Sequence, residues 1–178
     1  QESYPKISEM ITNIMRMYKD FEGCILVSSY EMAETIKSMV GNDVSDRLLI
    51  YSNSSEKRDI LYNFKYSTNG VLIGPSLFDG INLAGDMCRF LIIAKVPYMD
   101  LKSNFIKKKR DVYPVWYSSQ AALSIIQGIG RGVRYNSDWC CSFILDGNFG
   151  TLAGQVGNMF DDTFKNRLKI IDKASLMV

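Results

Sequence analysis

Five short apolar runs, each separated from the next by a stretch with helical spacing or turn residues, constrain this chain more than any other feature. They are CILVSS (24–29), RLLIYS (47–52), GVLIG (70–74), RFLIIAKV (89–96) and WCCSFILD (139–146). Each run is strand-length and apolar almost throughout, so both of its faces must be covered. Between them lie helical patterns: Ile7, Met10, Ile11, Ile14 and Tyr18 within 6–20, then Met32, Ala33, Ile36, Met39 and Val40 facing inward within 31–40. Ser54 or Ser55 is positioned to cap a helix running to about Lys65, and Pro114 to start a long helix running to about Tyr135. Pro75 and Pro97 stop two of the strands. Strands alternating with helices predict an α/β fold, a parallel sheet with helices on both faces. A single domain over residues 1–178 is expected, because the length suits one core and no linker or repeat interrupts it. The glycines Gly147, Gly150, Gly154 and Gly157 loosen the chain after the last strand, before a short amphipathic helix with Phe160, Phe164 and Leu168.

Composition removes several chemistries. The chain has no histidine, and its four cysteines (Cys24, Cys88, Cys140 and Cys141) form no CxxC pair. Zinc sites and histidine-based acid–base or nucleophilic catalysis are thereby excluded, and no metal-ligating residues are assigned. Cys24, Cys140 and Cys141 sit in apolar runs and read as buried, reduced thiols, which fits an intracellular reducing compartment, cytoplasmic (nucleoid) or nuclear. Net charge is only +2, so contact with a polyanion must come from a local patch. No run has the length of a membrane span, so no membrane partner is expected. The chain begins at Gln1 rather than Met, which reads as a fragment of a longer chain.

The chemistry concentrates in Gln127-Gly128-Ile129-Gly130-Arg131-Gly132-Val133-Arg134. At ~100° per residue, positions 127, 131 and 134 of one helix fall within a sector of roughly 60°. Ala122, Ile125, Ile126, Ile129 and Val133 form a separate apolar stripe. Such a helix buries one face and aims an amide and two guanidinium groups outward, an arrangement suited to a phosphate chain. Gly128, Gly130 and Gly132 also spell GxGxG, but a dinucleotide fingerprint needs a strand before the glycines and a helix after them, the reverse of the order here.

This QxxGRxxR block resembles motif VI of superfamily 2 helicases. GPSLFDGINLAGD (74–86) is similar to motif V of the DinG/XPD branch, and LVSSYEMAETI (26–36) resembles that branch's motif IV. Together the three blocks, in the family's order, cover most of residues 20–150. The resemblance implies a RecA-like (P-loop NTPase-type) fold and the second RecA-like domain of an ATP-dependent DNA helicase. It implies that Arg131 and Arg134 reach the γ-phosphate held by the other domain, with Gln127 bonding phosphate or the attacking water. Asp79, Gly80, Asn82 and Gly130 would line the ATP side, although Asp79 replaces the usual Glu and Asn82 the usual Asp. Asn148 stands where many relatives carry Arg. Ser29, Tyr30 and Ser76 would contact nucleic acid; a helix-capping Ser29 and a packed Tyr30 describe the same residues equally well.

The sequence contains no GxxxxGKS/T loop and no Walker B box, so the resemblance places the P-loop and Mg2+ in an N-terminal RecA-like domain of the same chain. An iron–sulfur cluster, where the branch carries one, is implied outside this fragment. Single-stranded or forked DNA is the implied partner. A translocase subunit of another superfamily 2 system and a non-catalytic RecA-like interaction module are the alternatives. Lys107-Lys108-Lys109-Arg110, with Lys102, is the one basic cluster, and a solvated loop is favoured there over a DNA-facing patch.

Overall fold

The computed structural model describes residues 3–53, 55–75, 77, 83, 85–133 and 138–171, with the side chain of Arg131 also outside the description. All five apolar runs form strands: β1 (Gly23–Leu26), β2 (Leu48–Ile50), β3 (Val71–Gly74), β4 (Phe90–Ile93) and β5 (Cys141–Ile144). They make one parallel sheet in the order β2-β3-β1-β4-β5. Alternation within each strand sorts the core into two halves. Ile25, Val71, Ile73, Phe90 and Ile92 enter one half; Cys24, Leu26, Leu72, Leu91 and Ile93 enter the other. Gly23 has to be glycine, because a β-carbon there would overlap the ring of Phe90 on the neighbouring strand.

The helices α1 (Tyr4–Met17), α2 (Tyr30–Met39) and α3 (Asn42–Ser45) cover the first half. On the second half lie α4 (Lys57–Lys65), α6 (Pro114–Arg131) and α7 (Asn148–Val156). The helix α5 (Asn104–Val112) packs on α6, and α8 (Asp162–Arg167) closes the described chain. The connection from β1 to β2 moves outward under one face, while those from β2 to β3 and β4 to β5 move the opposite way under the other. These crossovers therefore share one hand, as parallel sheets require.

Several local expectations are corrected. Met39, expected inward, is 46% exposed, and Val40 at 5% takes the inward place as the helix ends. Ser55 does not cap α4; the Asn53 side-chain oxygen accepts from the amides of Ser55 and Glu56 (3.0 and 3.1 Å), and Ser54 lies outside the described residues. The glycine-rich stretch after β5 is a helix, α7, whose Leu152 and Val156 are buried. Gly150 and Gly154 sit on its exposed side, so apolar packing outweighs a helix-propensity cost of about 1 kcal/mol each. Cys24 and Cys88 are buried, but Cys141 is exposed, because β5 is an edge strand with one uncovered flank. The basic run 107–110 lies on α5, not in a loop.

Candidate nucleotide and nucleic-acid site

At the carboxyl end of β1 the chain turns through Ser28 and Ser29 into α2. The Ser29 hydroxyl accepts from the Met32 amide (3.1 Å), satisfying one of the free amides of the first helical turn. Its hydroxyl hydrogen has no acceptor among the described residues and is left to donate outward. Tyr30 is 38% exposed and meets Tyr51 edge-on, with ring centroids 5.7 Å apart. Tyr51 is buried beneath it and donates to the Pro75 carbonyl (2.6 Å), which ties the ends of β1, β2 and β3 together. Ser29 thus caps a helix and Tyr30 packs on a ring while each still presents a polar atom or a ring edge at the sheet's carboxyl edge. Ser76, Asp79, Gly80 and Asn82, which follow Pro75, lie outside the described residues.

The helix α6 runs from this edge back to the other. Its first turn is held where Tyr117 donates to the Met99 carbonyl (2.8 Å) and stacks on Tyr98 at 5.3 Å. Ala121, Ala122 and Ile125 are buried against the sheet, with Ile126 and Ile129 partly so. Gln127 and Gly130 are exposed on the outward side, and a β-carbon at Gly130 would meet nothing within 4 Å. Arg131 is the last helical residue and Gly132 the cap. At Gly132 a β-carbon would lie 2.6 Å from Cys140 Sγ and 2.8 Å from its Cβ. The backbone is pressed against the start of β5, so the helix ends there and not near Tyr135 as its periodicity predicted.

Two consequences follow. Val133 is 42% exposed instead of continuing the apolar stripe, and α6 ends at Arg131, so the helical projection does not extend to position 134; Arg134 itself lies outside the described residues. Further, Gly132 lies beside Cys88 and Cys140, which precede β4 and β5, at the amino edge of the sheet. The motif IV-like turn at Ser29 and Tyr30 and the Gly132 end of α6 therefore lie at opposite edges of the sheet. The motif V-like block starts at Gly74, at the carboxyl edge, and ends at Asp86 in the 3-10 turn Gly85–Cys88, at the amino edge.

That amino edge holds groups no sequence signal marked. Arg89, 13% exposed, bonds Asp86 (2.7 Å) and the 2%-exposed Asp138 (2.6 Å), donates to the Trp139 carbonyl (2.9 Å), and lies 5.0 Å over the Trp139 ring. It joins the end of the motif V-like block to the segment entering β5. Its partners lie 3 and 49 residues away, so only the fold brings them together. Arg47 donates to the carbonyls of Met15, Tyr18, Phe21 and Asn69, fastening the end of α1 beneath the sheet. Burial holds the Glu22 carboxyl above its ordinary value, a bond from Ser67 opposes this, and the Asp86 charge adds to it. Cys88 Sγ lies 3.9 Å from Cys140 Sγ. The bond with Cys140 draws the Cys88 thiol down, but a bond with Cys24 and burial outweigh it and hold it well above its ordinary value.

At the carboxyl edge of β5, Asp146 accepts from the Val96 amide (3.0 Å) and from the Asn148 amide (3.0 Å) and side chain (2.9 Å). The asparagine at 148 is thus spent within the fold. Among the described residues no group of three or more His, Cys, Asp or Glu side chains is placed to hold a metal ion. No helix among them is long and apolar enough to cross a membrane.

Residues 11–167 match the family model described as the helicase C-terminal domain. Among curated proteins, the ATP-dependent DNA helicase CHL1 of Kluyveromyces lactis is 23% identical over 55% of this chain and 14% of its own length. Among solved structures, an XPD helicase superposes with a TM-score of 0.62 and 21% identity, over 89% of this chain and 31% of that one. The likeness to XPD shows that the parallel sheet is the RecA-like fold. The chain spans less than a third of the length of either relative.

Proposed function

The chain belongs to the helicase C-terminal domain family, in the DinG/XPD branch of superfamily 2, and we propose that it is the second motor domain of an ATP-driven DNA helicase. The observation that carries this reading is the outward face of α6. Gln127 is exposed, Gly130 leaves open space beside it, and Arg131 ends the helix at the rim of the sheet. Nucleotide would be clamped between this rim and a first RecA-like domain that supplies the P-loop and the Mg2+ ligands. Negative charge spreads over the transferred phosphoryl oxygens as the γ-phosphate leaves. Arg131 and Arg134 would sit against those oxygens, and Gln127 would hold the attacking water or a phosphate oxygen. Arginine suits the task because its planar fork stays charged and matches two oxygens at once.

Single-stranded DNA would cross the opposite edge, where the Ser29 hydroxyl can donate to a phosphate and Tyr30 offers a ring. Asp79, Gly80 and Asn82 belong to the segment that runs from one edge to the other. That placement supports a coupling role: a change at the nucleotide rim is transmitted to the strand path by the same stretch of chain. Asn82 retains hydrogen bonding without charge, so its part is to orient and not to bind a cation.

The 178-residue chain alone, lacking a P-loop, is expected to hydrolyse ATP at background rate in a steady-state assay with or without oligothymidine. The same chain joined to a P-loop-bearing RecA-like domain is expected to show DNA-stimulated turnover. Robust hydrolysis by the isolated chain would overturn the division of labour.

A further inference from the structure

We propose that α5 is a single-strand-binding strip that extends the nucleic-acid path beyond Ser29 and Tyr30; the inference rests on the helicase reading and names a surface which that reading leaves unused. No residue of α5 is buried. A nine-residue helix with no buried face has little reason to form on its own account. It is fastened by the Ser103 cap and by Lys109, whose ammonium lies 3.7 Å over the Trp116 ring of α6. Of its cations, Arg110 is matched by Asp111 at 2.7 Å. The side chains of Lys107 and Lys108 are exposed and enter no ion pair or hydrogen bond among the described residues.

The same helix and its cap carry exposed rings, Phe105 at 69%, with the Lys109 ammonium 5.8 Å over it, and Tyr113 at 60% exposure. Phe105 and Lys108, three residues apart, share one face of the helix. Unneutralised cations interleaved with exposed aromatic rings match the chemistry of a single strand, with phosphates for the ammonium groups and unpaired bases for the rings. A protein interface fits less well, because lysine is depleted at the centre of such interfaces. With a net charge of +2 over the whole chain, attraction for a polyanion has to be local, and this is where it is concentrated.

Position supports the same partner. The strands β1 and β4 are direct neighbours, with Leu26 opposite Ile93. Ser29 and Tyr30 leave the carboxyl end of β1, while Val96, Tyr98 and then α5 leave the carboxyl end of β4. The two segments thus leave the same edge of the sheet from neighbouring strands.

The test is oligothymidine binding by the protein, followed by fluorescence anisotropy across a series of salt concentrations. The double substitution Lys107→Ala, Lys108→Ala is expected to weaken binding. It should also flatten the dependence of log K on log salt by about 1.4, at ~0.7 per phosphate contact on a single strand. Phe105→Ala is expected to weaken binding on the order of tenfold with the slope unchanged, as loss of one stacked base does. All three side chains are exposed, so the unfolding midpoint should stay at the wild-type value. If the wild type binds and the variants match it at every salt, α5 is not on the path and the helicase reading stands. An equal loss on blunt duplex with Phe105→Ala silent overturns the single-strand assignment. If the wild type binds no oligothymidine at all, the helicase reading falls and this inference falls with it.

Discussion

Gly130 and Gly132, two residues apart at the end of one helix, show how little of a residue's role its type reveals. A methyl group at Gly132 would press on Cys140 at 2.6–2.8 Å, in a backbone that both flanking elements hold in place. Gly132→Ala is therefore expected to destabilise the fold by about 1–3 kcal/mol through overpacking. Gly130→Ala meets no atom within 4 Å and removes a helical glycine, so it should leave stability unchanged or raise it by roughly 0.5–1 kcal/mol. Urea unfolding of the two variants separates these outcomes, and equal effects would contradict the packing of Gly132 on β5. Gly132 approaches its own sheet, whereas Gly130 faces open space. Ser29 is the converse case, since its capping bond and an outward donor coexist on one hydroxyl.

Among the elements, the strands were legible because burial on both faces leaves an unbroken apolar run, and every such run became a strand of the sheet. The helices α5 and α7 were not legible. The first has no buried residue and so no periodic signal; the second carries glycines that argue against helix until Leu152 and Val156 find the core. The end of α6 is not legible for a related reason: its apolar periodicity continues past Arg131, while the helix stops there with Gly132 packed against Cys140. The Arg89 network is the element-scale device that sequence could not announce. It joins β4 to the entry of β5 through Asp138, a carboxylate 2% exposed. Arg89→Met keeps much of the apolar stem but takes the guanidinium from that carboxylate. The expected cost is about 3–5 kcal/mol, the range for breaking a buried pair, read from chemical denaturation. A cost below about 1 kcal/mol, the range of exposed pairs, would contradict the network's role.

At the scale of the molecule, the candidate site is divided. Ser29 and Tyr30, proposed for nucleic acid, lie where strands end, the end of α6, proposed for phosphate, lies where they begin, and β1 and β4 between are four residues long, about 13 Å at ~3.3 Å per residue. Among the crossovers between these edges are α6, packed on the sheet, and the segment that starts at Gly74 and ends at Asp86. The order of the three blocks is read from residues alone, and a parallel sheet obliges α6 to run back along the strands. What the residues do not show is that this helix stops at Arg131, with Gly132 against the start of β5. The proposed mechanism requires Arg131 to act from the rim of this domain on phosphate held by another. The direct measurement is DNA-stimulated ATP turnover by a protein carrying both RecA-like domains, wild type against Arg131→Ala, with circular dichroism confirming the fold of each. Turnover slower by about 10²-fold or more, at unchanged fold, is the predicted result. Wild-type turnover in the Arg131→Ala protein would contradict it.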